Sequence, residues 1–465
     1  MRNGGECLVF RVLPLMALLL VTCSPDYPPF LWQRTRSLRV ISGQSGTVQA
    51  SAADVEGDSV SLRFNWGDGS ISEWSPFVAA REVVSASHVW ADHGALHVLT
   101  QAKDRRENKS DWQGDLEVLV LDSAVVQWVD SIGSGISECP AVGPDGTIYV
   151  VSGRRLLALA SDGSHKWELS YGGYFDAPVL GEDGTVYVQP DYLRALTADG
   201  VEKWRFPSRA EHRYPPAIVA GGTVILPLDD TLFALAPDGA PVWSLCVGGE
   251  ILSAPAVAAD GTIYCLVRRS SKWGLCSVSV DGTLRWFIES EYSLRGDPAI
   301  GNEGEVYVLD DGCGLNAINP DSTLGWRYQA GWLDVSSPVV GMGGTVFLVC
   351  GRMYVLGVNS QGGPVWRVDM PLDGALPPAI DSRGVLHISG GNDSIYALSP
   401  DSTVKWCVVT ADYTYCPPSI GPNGIVYVGD SDGFLYALKA GAPLAASPWP
   451  KYRHDARNSG FAGAK

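Results

Sequence analysis

Histidine and methionine are scarce in this chain, 7 and 5 among 465 residues. The seven histidines, His88, His93, His97, His165, His212, His387 and His454, suggest no zinc-type site. Cysteine numbers 10 but forms no Cys-x-x-Cys, so neither a zinc ribbon nor a vicinal redox pair is expected. A Gly-x-Ser-x-Gly nucleophile turn and a phosphate-cradling loop ending in Lys are missing too. Positive charge is in deficit, with Lys plus Arg at 34 against 51 acidic residues and a net charge of −17. A polyphosphate would be repelled unless a local basic patch offset that charge, and no such patch is legible, so nucleic acid is disfavoured as a partner.

Long apolar runs are confined to Val12–Val21, which follows Arg2 and Arg11. Ten residues are too few to span a bilayer but suit a secretory signal over 1–22. The run ends in Leu20-Val21-Thr22-Cys23, which resembles a bacterial lipobox, with Thr22 departing from the usual small residue. The resemblance implies lipidation of Cys23, and the proline-rich 23–36 would be a stiff linker. The location expected is an outer-membrane or cell-surface lipoprotein, or otherwise a periplasmic or secreted protein. Among the later cysteines, Cys139 and Cys416 occupy equivalent repeat positions, and Cys265 and Cys276 face each other across one hairpin. Either pair could bridge under oxidising conditions; buried free thiols are the preferred reading.

What the chain has in abundance is repetition. Trp128, Trp167, Trp204, Trp243, Trp286, Trp326, Trp366 and Trp406 recur at steps of 39, 37, 39, 43, 40, 40 and 40. A hairpin glycine falls once per period, at Gly146, Gly184, Gly222, Gly261, Gly304, Gly344, Gly384 and Gly424. Strands rich in β-branched and aromatic residues follow, as in Thr147-Ile148-Tyr149-Val150. Then come a second strand such as Leu157-Ala158-Leu159, an Asp-Gly turn and the Trp. One such unit has no second face to bury, so the period predicts a closed ring of small sheets.

The string Ala-Leu-x-x-Asp-Gly-x-x-x-Trp resembles the repeat of the pyrroloquinoline-quinone-like β-propellers over about 125–440. The expected fold is therefore all-β, an eight-bladed propeller over 122–440, with each Trp packed structurally between blades. The last unit stops at Lys439 without a fourth strand, and the segment 124–131 is expected to complete it. The tail 441–465, with Trp449-Pro450-Lys451-Tyr452-Arg453-His454-Asp455, resembles a segment found at the ends of such propellers and is expected to dock on the ring.

Residues 37–121 have no counterpart in the repeats. Val60–Trp66 alternates as a strand and runs into Gly67-Asp68-Gly69, a turn needing positive φ, with Trp90 further on. This segment resembles the polycystic-kidney-disease-type domain, a small immunoglobulin-like β-sandwich used as a spacer or adhesive module. Asp54, Glu56 and Asp58 could face one calcium ion, though a solvated loop is the preferred reading.

The resemblance brings an enzymatic alternative, because some propellers of this class are dehydrogenases holding pyrroloquinoline quinone at the ring axis with calcium. This chain lacks their adjacent Cys-Cys pair, a haem motif and long insertions. No cofactor is expected. The reading preferred is a monomeric, non-catalytic binding scaffold of the cell envelope or surface, taking protein or glycan partners and meeting a membrane only through its lipid. The loops joining successive blades carry Tyr174, Asp176, His212, Arg213, Tyr214, Arg295, Asp297, Trp332, Asp334, Tyr413 and Tyr415, the candidate binding face. An outer-membrane assembly factor, like the propeller lipoprotein of the β-barrel assembly machine, is a further alternative.

Overall fold

A computed structural model describes residues 30–462 except 34–36, 55–56, 174, 209–213, 332–333, 352 and 411. The signal segment, Cys23, Glu56, Tyr174, His212, Arg213 and Trp332 lie outside the described residues. The chain divides into unit 1, residues 1–39 and 44–120, and unit 2, residues 40–43 and 121–465. Among the described residues no helix is long and apolar enough to cross a membrane.

Unit 1 is built from two sheets. One pairs Phe30–Gln33, Ser45–Ala53 and Val83–Val89; the other runs Ser37–Ile41, Gln113–Leu121, Gly94–Lys103 and Ser61–Asn65 in spatial order. Alternation places Val48, Ala50, Leu62, Phe64, Val98, Leu116 and Val118 inside. Trp66 and Trp90 are buried edge to face at 5.7 Å, and the Trp90 indole N–H donates to the Trp66 carbonyl at 3.0 Å. Gly67 and Gly69 have φ of 81° and 92°. A Cβ on Gly67 would stand 2.7 Å from the His97 carbonyl, so the turn admits no side chain there.

Among the described residues unit 2 contains eight sheets, seven with a two-residue first strand and the fifth with Leu294–Ile300 there, each followed by two central strands and a Trp-bearing strand; the fourth also gains Glu250–Ile251. All eight hairpin glycines have φ between 71° and 85°. The eighth sheet is completed from the other end of the unit, where Val126–Ser131 pairs with Phe434–Lys439 in the register Ala437↔Trp128. That pairing removes the two edges an open row of sheets would expose.

The repeated Trp has a fixed setting. Opposite it in the ladder stands a small residue: Ala158, Ala195, Ala234, Ser277, Ala317, Gly357, Ala397 or Ala437. The register slips by a bulge immediately after that residue in every sheet. Six of the indoles donate to a carbonyl of the next sheet, as Trp167 does to Ala198 at 2.8 Å and Trp204 to Pro237 at 2.7 Å. The ring packs on the turn glycine of that sheet; at Gly239 a Cβ would come within 2.6 Å of Trp204. Ser322 and Ser402 occupy the corresponding turns with φ of 75° and 71°. Core clusters run from sheet to sheet, Val151, Leu156 and Ala158 of the first packing with Leu180, Val186 and Leu196 of the second.

Candidate functional site at the ring axis

Seven of the eight innermost strands begin just after a proline, Pro140, Pro178, Pro216, Pro255, Pro338, Pro378 or Pro418, and in the fifth sheet Pro298 lies within the longer strand Leu294–Ile300. Proline supplies no N–H and so suits the first residue of a strand facing the axis. The amides that follow need acceptors, and the tail provides them. Val340 and Ile380 donate to the carbonyls of Trp449 and Pro450, and Val142, Leu180, Ile218 and Val257 to those of Ala456, Arg457, Ser459 and Gly460, all at 2.6–2.9 Å. The tail thus adds backbone pairing to six of the eight innermost strands.

Its side chains bring a buried polar network to the axis. Lys451 and Asn458 are fully buried, and the Lys451 ammonium donates to Asn458 Oδ1 and to the carbonyls of Tyr452 and Asp455. Asn458 Nδ2 donates to the carbonyls of Cys139 and Pro178 at 3.1 and 2.9 Å. Arg453, 2% exposed, donates to the Pro216 carbonyl. Arg453, His454 and Asn458 have φ of 63°, 72° and 56°, a concentration of left-handed backbone that the surrounding hydrogen bonds must hold.

Three carboxylates, Glu138, Asp176 and Asp297, meet this network from one or two residues before the prolines Pro140, Pro178 and Pro298. Burial, and then the like charge of Asp176, push Glu138 up to about 7. Asp297 accepts from the Ala254 N–H at 2.9 Å; burial raises its pKa against the opposing pull of the Arg453 charge. Burial lowers the pKa of Arg453.

The residues expected to form a binding face therefore divide. Arg295, Asp334, Tyr413 and Tyr415 are exposed, and the two tyrosines stack at 5.5 Å and 9°. Asp176, Tyr214 and Asp297 are only partly exposed, and Asp176 and Asp297 each have a carboxylate oxygen sealed from solvent. Asp176 and Asp297 turn toward the axial network, Asp176 beside Glu138 and Asp297 beside Arg453. Of the three acidic residues considered for calcium, Asp54 accepts from the Asp58 N–H at 3.3 Å. Among the described residues no group of three or more His, Cys, Asp or Glu is placed to hold a metal ion.

Two features lay beyond the sequence reading. His93 and His97 stand four apart, the His-x-x-x-His spacing, but Gly94–Lys103 is a strand, where four residues span about 13 Å and not one helical turn; His97 pairs with Asp115 at 2.6 Å. The second is a correction: unit 1 does carry a local basic patch. The Arg63 guanidinium lies 4.7 Å from the Trp74 ring centre and 5.1 Å from that of Trp112. Lys103 lies 5.0 Å from Trp74 and 5.6 Å from Phe77, Arg105 5.2 Å from Phe77, and Lys109 5.9 Å from Trp74. The eight cysteines of unit 2 are free thiols in this structure, with Cys265 and Cys276 directly opposite in register and their sulfurs 3.2 Å apart.

Repeated antiparallel sheets, an indole-to-carbonyl link between neighbours and a last sheet closed by both ends of the unit define a β-propeller of the pyrroloquinoline-quinone-like repeat class. The chain belongs to the family described as outer membrane protein assembly factor BamB, whose sequence profile matches residues 98–245, 191–286 and 229–442. No curated protein sequence matches it. Among solved structures it is similar to the computationally designed Ika8 protein, at TM-score 0.57 and 10% identity over 67% of this chain and 98% of that one. The Dos1 propeller is similar at TM-score 0.56 and 8% identity, over 70% and 97% of the two chains. The PKD domain of an M14-like peptidase from Thermoplasmatales archaeon SCGC AB-540-F20 aligns with 20% of this chain and 97% of its own length at 30% identity, with a TM-score of 0.18.

Proposed function

We propose that the protein is an exported, lipid-anchored, non-catalytic scaffold whose eight-bladed propeller binds a protein or glycan partner of the cell envelope through the exposed part of its interblade loops. Unit 1 is read as a polycystic-kidney-disease-type, immunoglobulin-like domain, and Cys23 as the lipidated residue. The observation that supports the reading is the tail's place at the axis. Where a catalytic propeller would need room for a cofactor, this ring packs Lys451, Arg453 and Asn458 of its own tail, all at most 2% exposed. Recognition is assigned to the rim, where Tyr413, Tyr415, Arg295 and Asp334 offer aromatic and charged contacts typical of recognition surfaces.

The family match favours one version of this reading, a role in outer-membrane protein assembly. Photocrosslinking side chains placed at Tyr413, Arg295 and Asp334, and as a control at Asp321 in a Trp-side turn, test it in envelope preparations. Crosslinks to a defined partner from the loop positions alone support a binding face there, and barrel-assembly subunits among the products support the assembly role. Equal crosslinking from Asp321 would sink the loop-face reading. Titration with pyrroloquinoline quinone and calcium tests the enzymatic alternative, since stoichiometric binding with a raised melting temperature would revive it.

A further inference from the structure

From the basic patch of unit 1 we infer a second binding surface, independent of the propeller, for an anionic polysaccharide whose carboxylate or sulfate groups pair with Arg63, Lys103, Arg105 and Lys109. The fold assembles these residues from distant parts of the chain. Strand Ser61–Asn65 pairs with Gly94–Lys103 in the register Ser61↔Lys103 and Arg63↔Gln101, and Gln101 Oε1 accepts from Arg63 Nε and Nη2 at 3.0 and 2.7 Å. Buried Asp104 accepts from the backbone N–H groups of Arg106 and Asn108 at 2.8 and 2.9 Å, fixing the turn that presents Arg105 and Lys109. Glu107 enters the patch, 2.7 Å from Lys103. Four cations thus share a surface in a chain whose net charge is −17.

Each cation rests near an aromatic ring, and that decides the class of polyanion. A side chain held against a ring has less rotamer freedom to lose on binding, which favours contacts to fixed anionic groups. Single-stranded nucleic acid binds through open aromatic faces on which bases stack, whereas here the faces of Trp74, Trp112 and Phe77 carry the protein's own cations. Duplex nucleic acid, with one charge per roughly 1.7 Å, would also meet the strongest repulsion from this acidic chain. A uronate or sulfated glycan spaces its charges a sugar ring apart and needs no free aromatic face to pair with these cations.

The test titrates the full-length protein with alginate oligomers, following tryptophan fluorescence between about 20 and about 200 mM salt. Saturable binding that weakens with salt is expected, with no binding of uncharged dextran. The Lys103→Gln/Arg105→Gln/Lys109→Gln variant should lose roughly tenfold or more in affinity with its melting temperature unchanged. Should that variant fold poorly, Lys109→Gln alone, at an exposed position, gives the same reading with a smaller loss. The proposal is overturned if neither alginate nor dextran sulfate binds saturably, or if the variants bind as tightly as the parent. Tighter binding of an oligodeoxynucleotide or of phosphatidylglycerol vesicles would reassign the patch and overturn it equally.

Discussion

In unit 2 the repeated Trp gives its indole N–H to the next sheet and lays its ring on that sheet's turn, while in unit 1 Trp74 and Trp112 turn their faces to Arg63 and its basic neighbours. The first use joins one sheet to the next and is paid back in stability. The second prepares a surface and contributes little to the core. Residue type alone therefore says little about role; what distinguishes the two sets is whether the position recurs with the fold's period.

The contrast can be broken by substitution, and the largest effect is expected at the axis. Removing residues 443–465 would strip acceptors from six buried strand amides, each worth ~1–3 kcal/mol when left unsatisfied, and should lower stability by more than about 5 kcal/mol in chemical unfolding. Retention of the parental unfolding midpoint would show that the tail is dispensable. Next, Trp167→Ala should cost ~2–4 kcal/mol through the lost ring packing and the lost bond to Ala198. Trp112→Ala should cost under about 1 kcal/mol while weakening the basic patch. Equal losses for the two would erase the distinction drawn between the units.

Smaller effects follow from titration and backbone. Glu138 is raised from 4.5 to about 7, so the folded state holds its proton where the unfolded state has released it. Its contribution falls as pH rises from about 4.5 to about 7, by up to ~3 kcal/mol. Glu138→Gln should flatten that part of the melting-temperature profile; a slope unchanged by the substitution would locate the dependence elsewhere. Finally, Ser402→Gly should stabilise by ~0.5–1 kcal/mol, because Ser402 holds φ of 71° where five sibling turns use glycine. A destabilised variant would mean that the Ser402 side chain earns its place by contacts stronger than the strain.

The legible part of this fold was the part that recurs. Gly146 and its counterparts, the Trp series and the missing last strand were readable because positive φ, indole packing and ring closure impose the same residue at the same interval. The loops have no period, so sequence could not tell that Asp297 turns toward Arg453 while Arg295, two residues earlier, faces solvent. The density of polar groups from Lys451 to Asn458 was visible, but not that the backbone of this segment serves six innermost strands. The basic patch escaped because Arg63 and Lys103 become neighbours only through strand pairing. Its rings lie on segments of unit 1 that no repeat duplicates.

Closure of the ring also sets a timetable for synthesis. Val126–Ser131 emerges early, yet its partner strand ends at Lys439, whose ammonium bonds the Ser123 carbonyl 316 positions away. Until that partner is translated, the first Trp-bearing strand is an unpaired edge, open to pairing with other chains. The strand Phe434–Lys439 therefore decides whether the sheets made before it close as a ring or pair with other chains.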